Sequence, residues 1–178
     1  LPDSLSTREQ ADSLNNPDSN KVELKRHTLF FELGGAFFFY SIKYDYILKQ
    51  WNRFSINYSI GFSVLPDDNY RKINDYRQFA FPMQLSGLYG KNKSKLEFGV
   101  FITPGLSIPN KRERIYDNEK INYGFYNQGI NLGYRYQKKQ GGLFFKAFFL
   151  AFYFDRNYGY INGSFSYWMG IGIGHTFR

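Results

Sequence analysis

One pattern constrains this chain more than any other: a strand-period alternation with a bulky apolar face and a small polar face. Successive side chains of a β-strand point to opposite faces, so such a segment is two-sided. Residues 54–64 place Phe54, Ile56, Tyr58, Ile60, Phe62 and Val64 on one face, and Ser55, Asn57, Ser59, Gly61 and Ser63 on the other. A small, uncharged polar face suits the crowded interior of a narrow barrel. We therefore expect the apolar face to point outward, toward lipid.

The composition agrees with a membrane protein that is built from strands. Aromatic residues make up 21% of the 178 residues, with 20 Phe and 16 Tyr, yet the mean hydropathy is −0.49. No run of about 18 apolar residues is present, so no transmembrane helix fits, whereas membrane barrels give a weak signal per strand. Cysteine is absent, which excludes disulfides and thiolate chemistry. The formal charge of +8 is spread over turns and loops, which argues against nucleic acid as a partner.

The alternation divides the chain into two parts. Residues 1–26 are predicted to be a polar N-terminal periplasmic tail, because Ser, Asp, Asn and Pro are frequent and aromatic residues are almost absent. Residues 27–178 are predicted to be an all-β, eight-stranded, antiparallel, up-and-down transmembrane β-barrel with a filled interior. The predicted strands are 27–35, 38–48, 54–65, 79–90, 95–108, 121–137, 142–154 and 164–177, with a bulge near Gln128.

The lengths of the connections orient the predicted barrel. Along the chain, the connections between predicted strands alternate between short and longer ones, with one exception. Transmembrane barrels have short periplasmic turns and longer outer loops. Both chain ends are therefore expected on the periplasmic side. Because the sequence begins at Leu1 and not at Met, we also expect that a signal peptide has been removed.

Charged residues of both signs fall on the face opposite the bulky apolar residues. Buried charges persist only when they are paired and hydrogen-bonded, so a balanced set predicts an interior ion-pair network. The predicted network is Glu32, Lys43, Asp45, Glu97, Arg135 and Lys146. Its three acids could instead be catalytic carboxylates, but the three matching cations favour ion pairs. The face of Lys146 also carries Phe144, Phe148, Leu150 and Phe152, which predicts a partly aromatic interior. Gly170, Gly172 and Gly174 are expected to make room for large side chains opposite them.

Candidate catalytic and metal-binding residues are few. The sequence has two histidines, His27 and His175, and both fall at predicted periplasmic strand ends. A hydrolase acting on lipid A would need Ser, His and a carboxylate near the outer leaflet instead. A histidine pair can bind metal, but no third ligand lies nearby in sequence, so an interfacial role is favoured. No catalytic residue, metal or cofactor is predicted.

Four segments carry a family resemblance: FELGGAFFFYSIKYDYIL, KLEFGVFITPG, GYRYQKKQGGLFFKAFF and GIGIGHTFR. Together they resemble the small outer-membrane barrels of Gram-negative bacteria, especially the compact ones of Bacteroidota. Such barrels commonly end in an aromatic residue, with an aromatic two positions earlier and a Gly upstream, a pattern that is read by the barrel assembly machinery. Phe177, His175 and Gly172 stand in those places. The match departs in two respects, because Arg178 follows Phe177 and a histidine replaces the more usual aromatic.

Basic and aromatic residues suggest contacts with the membrane. Lys111, Arg112 and Arg114 in a predicted outer loop could bind lipopolysaccharide phosphates or an acidic partner, or could simply be solvated beside Asp117 and Glu119. The turn residues Lys91, Lys93, Lys95, Lys138 and Lys139 could contact phospholipid headgroups, or be solvated. The residues Tyr44, Tyr46, Tyr134 and Tyr136 suit an aromatic girdle.

The resemblance and the filled interior together imply a non-enzymatic integral protein of the bacterial outer membrane. We expect an accessory subunit of a multi-protein complex for barrel assembly or secretion. Its expected partners are outer-membrane lipids, including lipopolysaccharide, and other outer-membrane proteins, but not nucleic acid. A lipid A-modifying enzyme and a free-standing structural or adhesive barrel remain alternatives. So do a soluble barrel of lipocalin type and a nucleic-acid-binding β-module, because alternation alone does not say which face is outside.

Overall fold

The computed structural model describes residues 27–36, 39–65, 76–109, 123–138, 140–156 and 164–177. Within these ranges the chain is all-β. The strands are β1 (His27–Leu33), β2 (Tyr40–Gln50), β3 (Phe54–Leu65), β4 (Tyr76–Ala80), β5 (Met83–Tyr89), β6 (Ser94–Pro109), β7 (Tyr123–Gln137), β8 (Gly142–Arg156) and β9 (Ser164–Phe177). In this described part, no helix is long and apolar enough to cross a membrane. The predicted tail over residues 1–26 lies outside the described residues.

The strands pair antiparallel all the way round, and the sheet closes on itself. The closing contact joins the first and last strands, with His27 of β1 opposite Phe177 of β9. β4 and β5 both lie between β3 and β6, so they are two halves of one barrel strand. Every other strand pairs with its neighbours in sequence, which is the up-and-down topology. The closed, eight-stranded antiparallel barrel that the sequence predicts is therefore confirmed.

The fourth barrel strand is interrupted, which the sequence analysis did not predict. It breaks at Phe81–Pro82, because proline has no N–H to donate to the sheet. The carbonyl of Pro82 accepts a hydrogen bond from the N–H of Gly61 at 2.8 Å, and the N–H of Phe81 donates to the Pro104 carbonyl at 2.9 Å. Backbone hydrogen bonds thus bridge the break on both sides.

The predicted bulge near Gln128 is wrong. β7 keeps a constant register with β6 and with β8 along its whole pairing, so nothing is inserted at that point. The irregularity lies instead in β2, where the register with β3 shifts between Ile47 and Lys49. The inward position of Ile47 continues the face of Asp45, and the shift falls where β2 approaches its turn.

The apolar face of the alternation is the outside of the barrel. In β3, Asn57 and Ser59 are buried, whereas Tyr58 and Ile60 are 36% and 40% exposed. Among the described residues, buried polar and charged side chains outnumber buried hydrophobic ones. This distribution is the reverse of a barrel that encloses an apolar ligand, and it confirms the outward direction of the apolar face that residues 54–64 predict.

Glycines on the inner face of β9 make room for bulky neighbours, as predicted. A Cβ atom on Gly170 would lie 2.5 Å from Cζ of Phe148, closer than real contacts allow. A Cβ atom on Gly172 would lie 3.0 Å from Cγ of Lys146 and 3.2 Å from the ring of Phe30. The last strand therefore offers a flat inner surface against which the large side chains of β1 and β8 pack.

Candidate functional site

The structure brings the six residues of the predicted network together inside the barrel. They are Glu32 of β1, Lys43 and Asp45 of β2, Glu97 of β6, Arg135 of β7 and Lys146 of β8. Each is at most 3% exposed. Five strands thus contribute charges to one enclosed volume, which we call the interior network. Because it gathers six charged side chains in one place, the interior network is the candidate functional site.

Arg135 is the residue that crosses the barrel. Its Nη2 lies 2.6 Å from Oδ1 of Asp45 and its Nη1 lies 3.2 Å from Oδ2, so the pair is bidentate. Asn57 donates a further hydrogen bond to Oδ2 of Asp45 at 2.5 Å. Two-pronged pairing of guanidinium with carboxylate is among the strongest polar contacts in proteins. This contact fixes the distance between opposite walls.

Two glutamates connect the remaining cations. Glu32 lies 2.7 Å from Nζ of Lys43 and 3.3 Å from Nζ of Lys146. Glu97 lies 3.6 Å from Nζ of Lys146 and 3.5 Å from Nη1 of Arg135. The six charges therefore form one continuous chain of alternating sign. Such a chain offsets the cost of removing each ion from water, which an isolated buried charge could not do.

A group of uncharged side chains that the sequence analysis missed extends the network toward the end of the barrel where β1 begins and β9 ends. Gln137 accepts a hydrogen bond from Nε of Arg135 at 3.1 Å. Its amide nitrogen donates to the hydroxyls of Thr28 and Thr176 at 3.1 and 3.2 Å, and these two hydroxyls are 3.0 Å apart. Strand parity was the available signal, because Gln137 lies two residues after Arg135 on the same face.

Aromatic rings cover the cations on the inside. The guanidinium carbon of Arg135 lies 4.7 Å from the ring centre of Phe144, and Nζ of Lys146 lies 4.4 Å from that of Phe148 and 5.3 Å from that of Phe30. Contacts of this kind are attractive, especially away from water. Phe148 also belongs to a buried apolar cluster inside the barrel, whose other members are Ala36, Phe101, Leu150 and Phe152. The partly aromatic interior that β8 predicts is confirmed.

The geometry places the three carboxylates in ion pairs and away from solvent. Glu32, Asp45 and Glu97 are each at most 2% exposed, and each contacts a lysine or an arginine. A catalytic acid or base must reach a substrate, and here the neighbouring cations and rings occupy that space. Among the residues that the structure describes, no group of three His, Cys, Asp or Glu could hold a metal ion.

The two histidines point outward and do not pair with each other. The ring of His27 stacks on Phe177 with centres 5.9 Å apart and lies 5.0 Å from the ring of Tyr46. Its Nδ1 also forms a hydrogen bond with the hydroxyl of Tyr44. His175 lies opposite Leu29 in the register of β1 and β9. His27 is thus part of an aromatic group at the end of the barrel.

The predicted assembly-signal residues lie on the last strand, and the predicted outer-loop cations are not described. Gly172 is buried on the inner face of β9, and His175 and Phe177 are exposed on its outer face; their role as an assembly signal stays a prediction. Lys111, Arg112 and Arg114 lie outside the described residues, as does Lys139.

Three of the predicted turn cations, Lys91, Lys93 and Lys138, are exposed. Lys95 is not, which corrects the prediction for that residue: it is 7% exposed and points inward. Its position in β6, two residues before Glu97, explains the inward direction. Of the predicted girdle, Tyr44 and Tyr134 are exposed on the outer wall, and Tyr46 and Tyr136 are half-buried there.

Comparison with known proteins adds nothing to this geometry. No family model matches the chain, and comparisons with curated proteins and with solved structures find no significant similarity. The functional argument therefore depends on the chain's own residues.

Proposed function

We propose that this chain is an integral outer-membrane β-barrel protein without catalytic activity, and that it serves as an accessory subunit of a multi-protein outer-membrane complex. One observation carries the proposal. The barrel is inside-out, with an ion-paired polar interior and an apolar, aromatic outer wall. Water does not stabilise a continuous apolar wall of this extent, whereas a bilayer does.

The dimensions of the strands support a membrane location. A barrel strand needs about 9–11 residues to cross a bilayer. β3 has 12 residues, β7 has 15 and β8 has 15, so these three strands are long enough. Aromatic residues such as Tyr44 and Tyr134 stand near one end of the wall, where a membrane–water interface is expected.

The same pattern supports an outer-membrane location and an orientation. Strand-built membrane proteins of this size belong to outer membranes, and their short turns face the periplasm. The turns of this barrel between β2 and β3, β5 and β6, and β7 and β8 are short. They lie at the same end as His27 and Phe177, so both termini would be periplasmic.

The filled interior supports a role in an assembly. Arg135, Lys146 and the rings of Phe144 and Phe148 occupy the space through which a solute would pass. Because the carboxylates are held in ion pairs, the interior offers no reactive group to a substrate. The outer wall and the two ends are then the surfaces through which this protein acts, and these surfaces suit contacts with lipid and with other membrane proteins.

Two linked experiments test the proposal. In the first, the purified chain is mixed with phosphatidylcholine vesicles and centrifuged through a density gradient; we expect it to float with the vesicles and to resist a urea wash. Recovery of a folded chain in the aqueous fraction would contradict the membrane assignment. In the second, the chain carries an affinity tag within residues 1–26 and is extracted from native membranes in a mild detergent.

The second experiment separates the accessory-subunit role from its alternatives. We expect other membrane proteins to co-purify in fixed ratio, as identified by mass spectrometry, and to be lost after extraction in a harsh detergent. A lone monomer of 21.0 kDa would contradict the subunit role and favour a free-standing barrel. Deletion of the gene should leave the mass of lipid A unchanged, whereas a shifted mass would favour the lipid A-modifying enzyme.

A further inference from the structure

At the end of the barrel where β1 begins and β9 ends, the short turns carry charges of one sign only, which is positive. Among the residues that the structure describes, five exposed cations lie in or beside the three short turns at this end: Lys49, Arg53, Lys91, Lys93 and Lys138. The segments 48–54, 89–95 and 137–143 contain no Asp or Glu. We call these five residues the basic rim. The nearest network acid in β2, Asp45, is buried against Arg135 and does not reach the rim.

Backbone hydrogen bonds connect the turns that carry the rim. The N–H of Gly90 donates to the carbonyl of Arg53 at 2.8 Å, which ties the first turn to the second. The N–H of Gln137 donates to the carbonyl of Lys93 at 2.8 Å, which ties the second turn to the strand that leads into the third. The cations are therefore carried by neighbouring, mutually fixed turns and form one continuous arc.

Aromatic side chains border the rim on the side of the outer wall. Trp51, Tyr89 and Tyr134 are 44%, 52% and 45% exposed. Nζ of Lys49 lies 5.1 Å from the ring centre of Trp51. Amphipathic rings favour the headgroup level of a bilayer, and cations beside them then lie at the height of the lipid phosphates.

We infer that the basic rim binds the phosphate headgroups of anionic phospholipids in the leaflet that surrounds this end of the barrel. The inference rests on the proposed membrane location and adds a ligand class to it. The position of the cations favours lipid over an acidic protein, because they border the apolar wall and share their level with interfacial aromatic residues. Attraction between a basic cluster and an anionic leaflet is additive over the cations and weakens with salt.

The test compares a rim variant with a charge-matched control. The rim variant carries Lys49→Gln, Arg53→Gln, Lys91→Gln, Lys93→Gln and Lys138→Gln. The control carries Arg71→Gln, Lys72→Gln, Arg77→Gln, Lys120→Gln and Arg156→Gln, which lie in or beside the connections that follow β3, β6 and β8 in sequence and outside the three short turns. Each variant removes five positive charges from the formal +8.

Each protein is reconstituted in vesicles with equal amounts of phosphatidylcholine and phosphatidylglycerol, extracted gently, and examined by native mass spectrometry for retained lipid. We expect the wild type and the control to retain phosphatidylglycerol preferentially. In the rim variant, the ratio of retained phosphatidylglycerol to phosphatidylcholine should fall by a factor of about five or more, because a single surface cation contributes about a factor of five to the attraction. Equal preference in the rim variant and the wild type, or an equal loss in the control, would overturn the inference.

A second measurement needs no variant. The preference of the wild type should fall when the salt concentration is raised, and a salt-independent preference would also overturn the inference. Flotation with pure phosphatidylcholine vesicles separates this inference from the proposed function. A wild type that fails to float contradicts the membrane location itself. One that floats but shows no preference for phosphatidylglycerol contradicts the inference about the rim alone.

Discussion

Arg135 and Asp45 form a bidentate ion pair across the full width of the barrel. Arg135 belongs to β7 and Asp45 to β2, and these strands lie half-way round the closed sheet from each other. Each side chain is at most 2% exposed. One contact thus holds opposite walls together, and it does so in a place where water cannot substitute for either partner.

Replacing Arg135 should strongly destabilise the barrel. Arg135→Met leaves the buried carboxylate of Asp45 without its cation, and the loss of one partner of a buried pair costs about 3–5 kcal/mol. The free energy of unfolding in lipid vesicles, measured by urea titration, gives the effect. In phosphatidylcholine vesicles, which contain no anionic lipid for the basic rim to bind, Arg53→Met in an exposed turn is the matched control and should change the stability by less than about 0.5 kcal/mol.

The double variant Arg135→Met with Asp45→Leu should recover part of that loss, because no unpaired charge at either position remains. The coupling energy from the double-mutant cycle isolates the pair. A double variant whose cost equals the sum of the two single costs would show that the two residues act independently, contrary to the geometry.

Packing against the last strand can be tested at Gly172. A side chain at this position meets Phe30 and Lys146, so Gly172→Val should lower the free energy of unfolding by about 1–3 kcal/mol. Adding Phe30→Leu should restore part of the lost stability, because the smaller side chain leaves space for the valine. Ile173→Val on the adjacent outer face is the control, and it should have a smaller effect. Full stability of Gly172→Val would mean that the inner face of β9 has room to spare.

The alternation in the sequence was sufficient for the architecture. Each strand that the structure contains overlaps a predicted one, because one polar face and one apolar face per strand leave little choice of orientation. The same parity predicted the interior position of Glu32 and Lys43. The break at Pro82 was also readable in principle, since proline is disfavoured inside a central strand.

The contacts within the barrel could not be read from the sequence. The stagger of the strands round the barrel decides which interior charges meet. It brings Arg135 to Asp45 and places Lys146 between Glu32 and Glu97. Stagger is a property of the closed sheet and not of any one segment. The inward direction of Lys95 was missed although the predicted strand 95–108 includes it, because its parity with Glu97, two residues later on the same face, was not applied.

The filled interior predicts that the protein does not conduct ions. Eight strands leave a bore just wide enough for side chains, and here Phe101, Phe148 and Phe152 occupy it above the charged network. Planar bilayer recordings of the reconstituted wild type should show no stepwise conductance. A large porin recorded under the same conditions confirms that the assay detects channels. Reproducible channel openings by this protein would contradict the closed interior.

A charged side chain on the outer wall should lower the folding free energy most when it lies near the middle of the bilayer. Ile60 lies in the middle of β3 and is 40% exposed, so Ile60→Arg should cost about 2–4 kcal/mol of folding free energy in a bilayer. Leu96 is 50% exposed and lies beside a short turn, so Leu96→Arg should cost only about 0–1 kcal/mol. Refolding into vesicles, followed by denaturant titration, measures both. Equal costs at the two sites would argue against a bilayer round the wall.

The most direct test of the central claim is the environment of the outer wall itself. The chain has no cysteine, so single cysteines at Ile60, Val100 and Lys91 can each carry one spin label in an otherwise unmodified background. In vesicles, labels at Ile60 and Val100 should be accessible to oxygen and shielded from a water-soluble nickel complex, and a label at Lys91 should show the reverse. Labels at Ile60 and Val100 that are as accessible to nickel as the label at Lys91 would contradict the assignment of the apolar wall to the membrane.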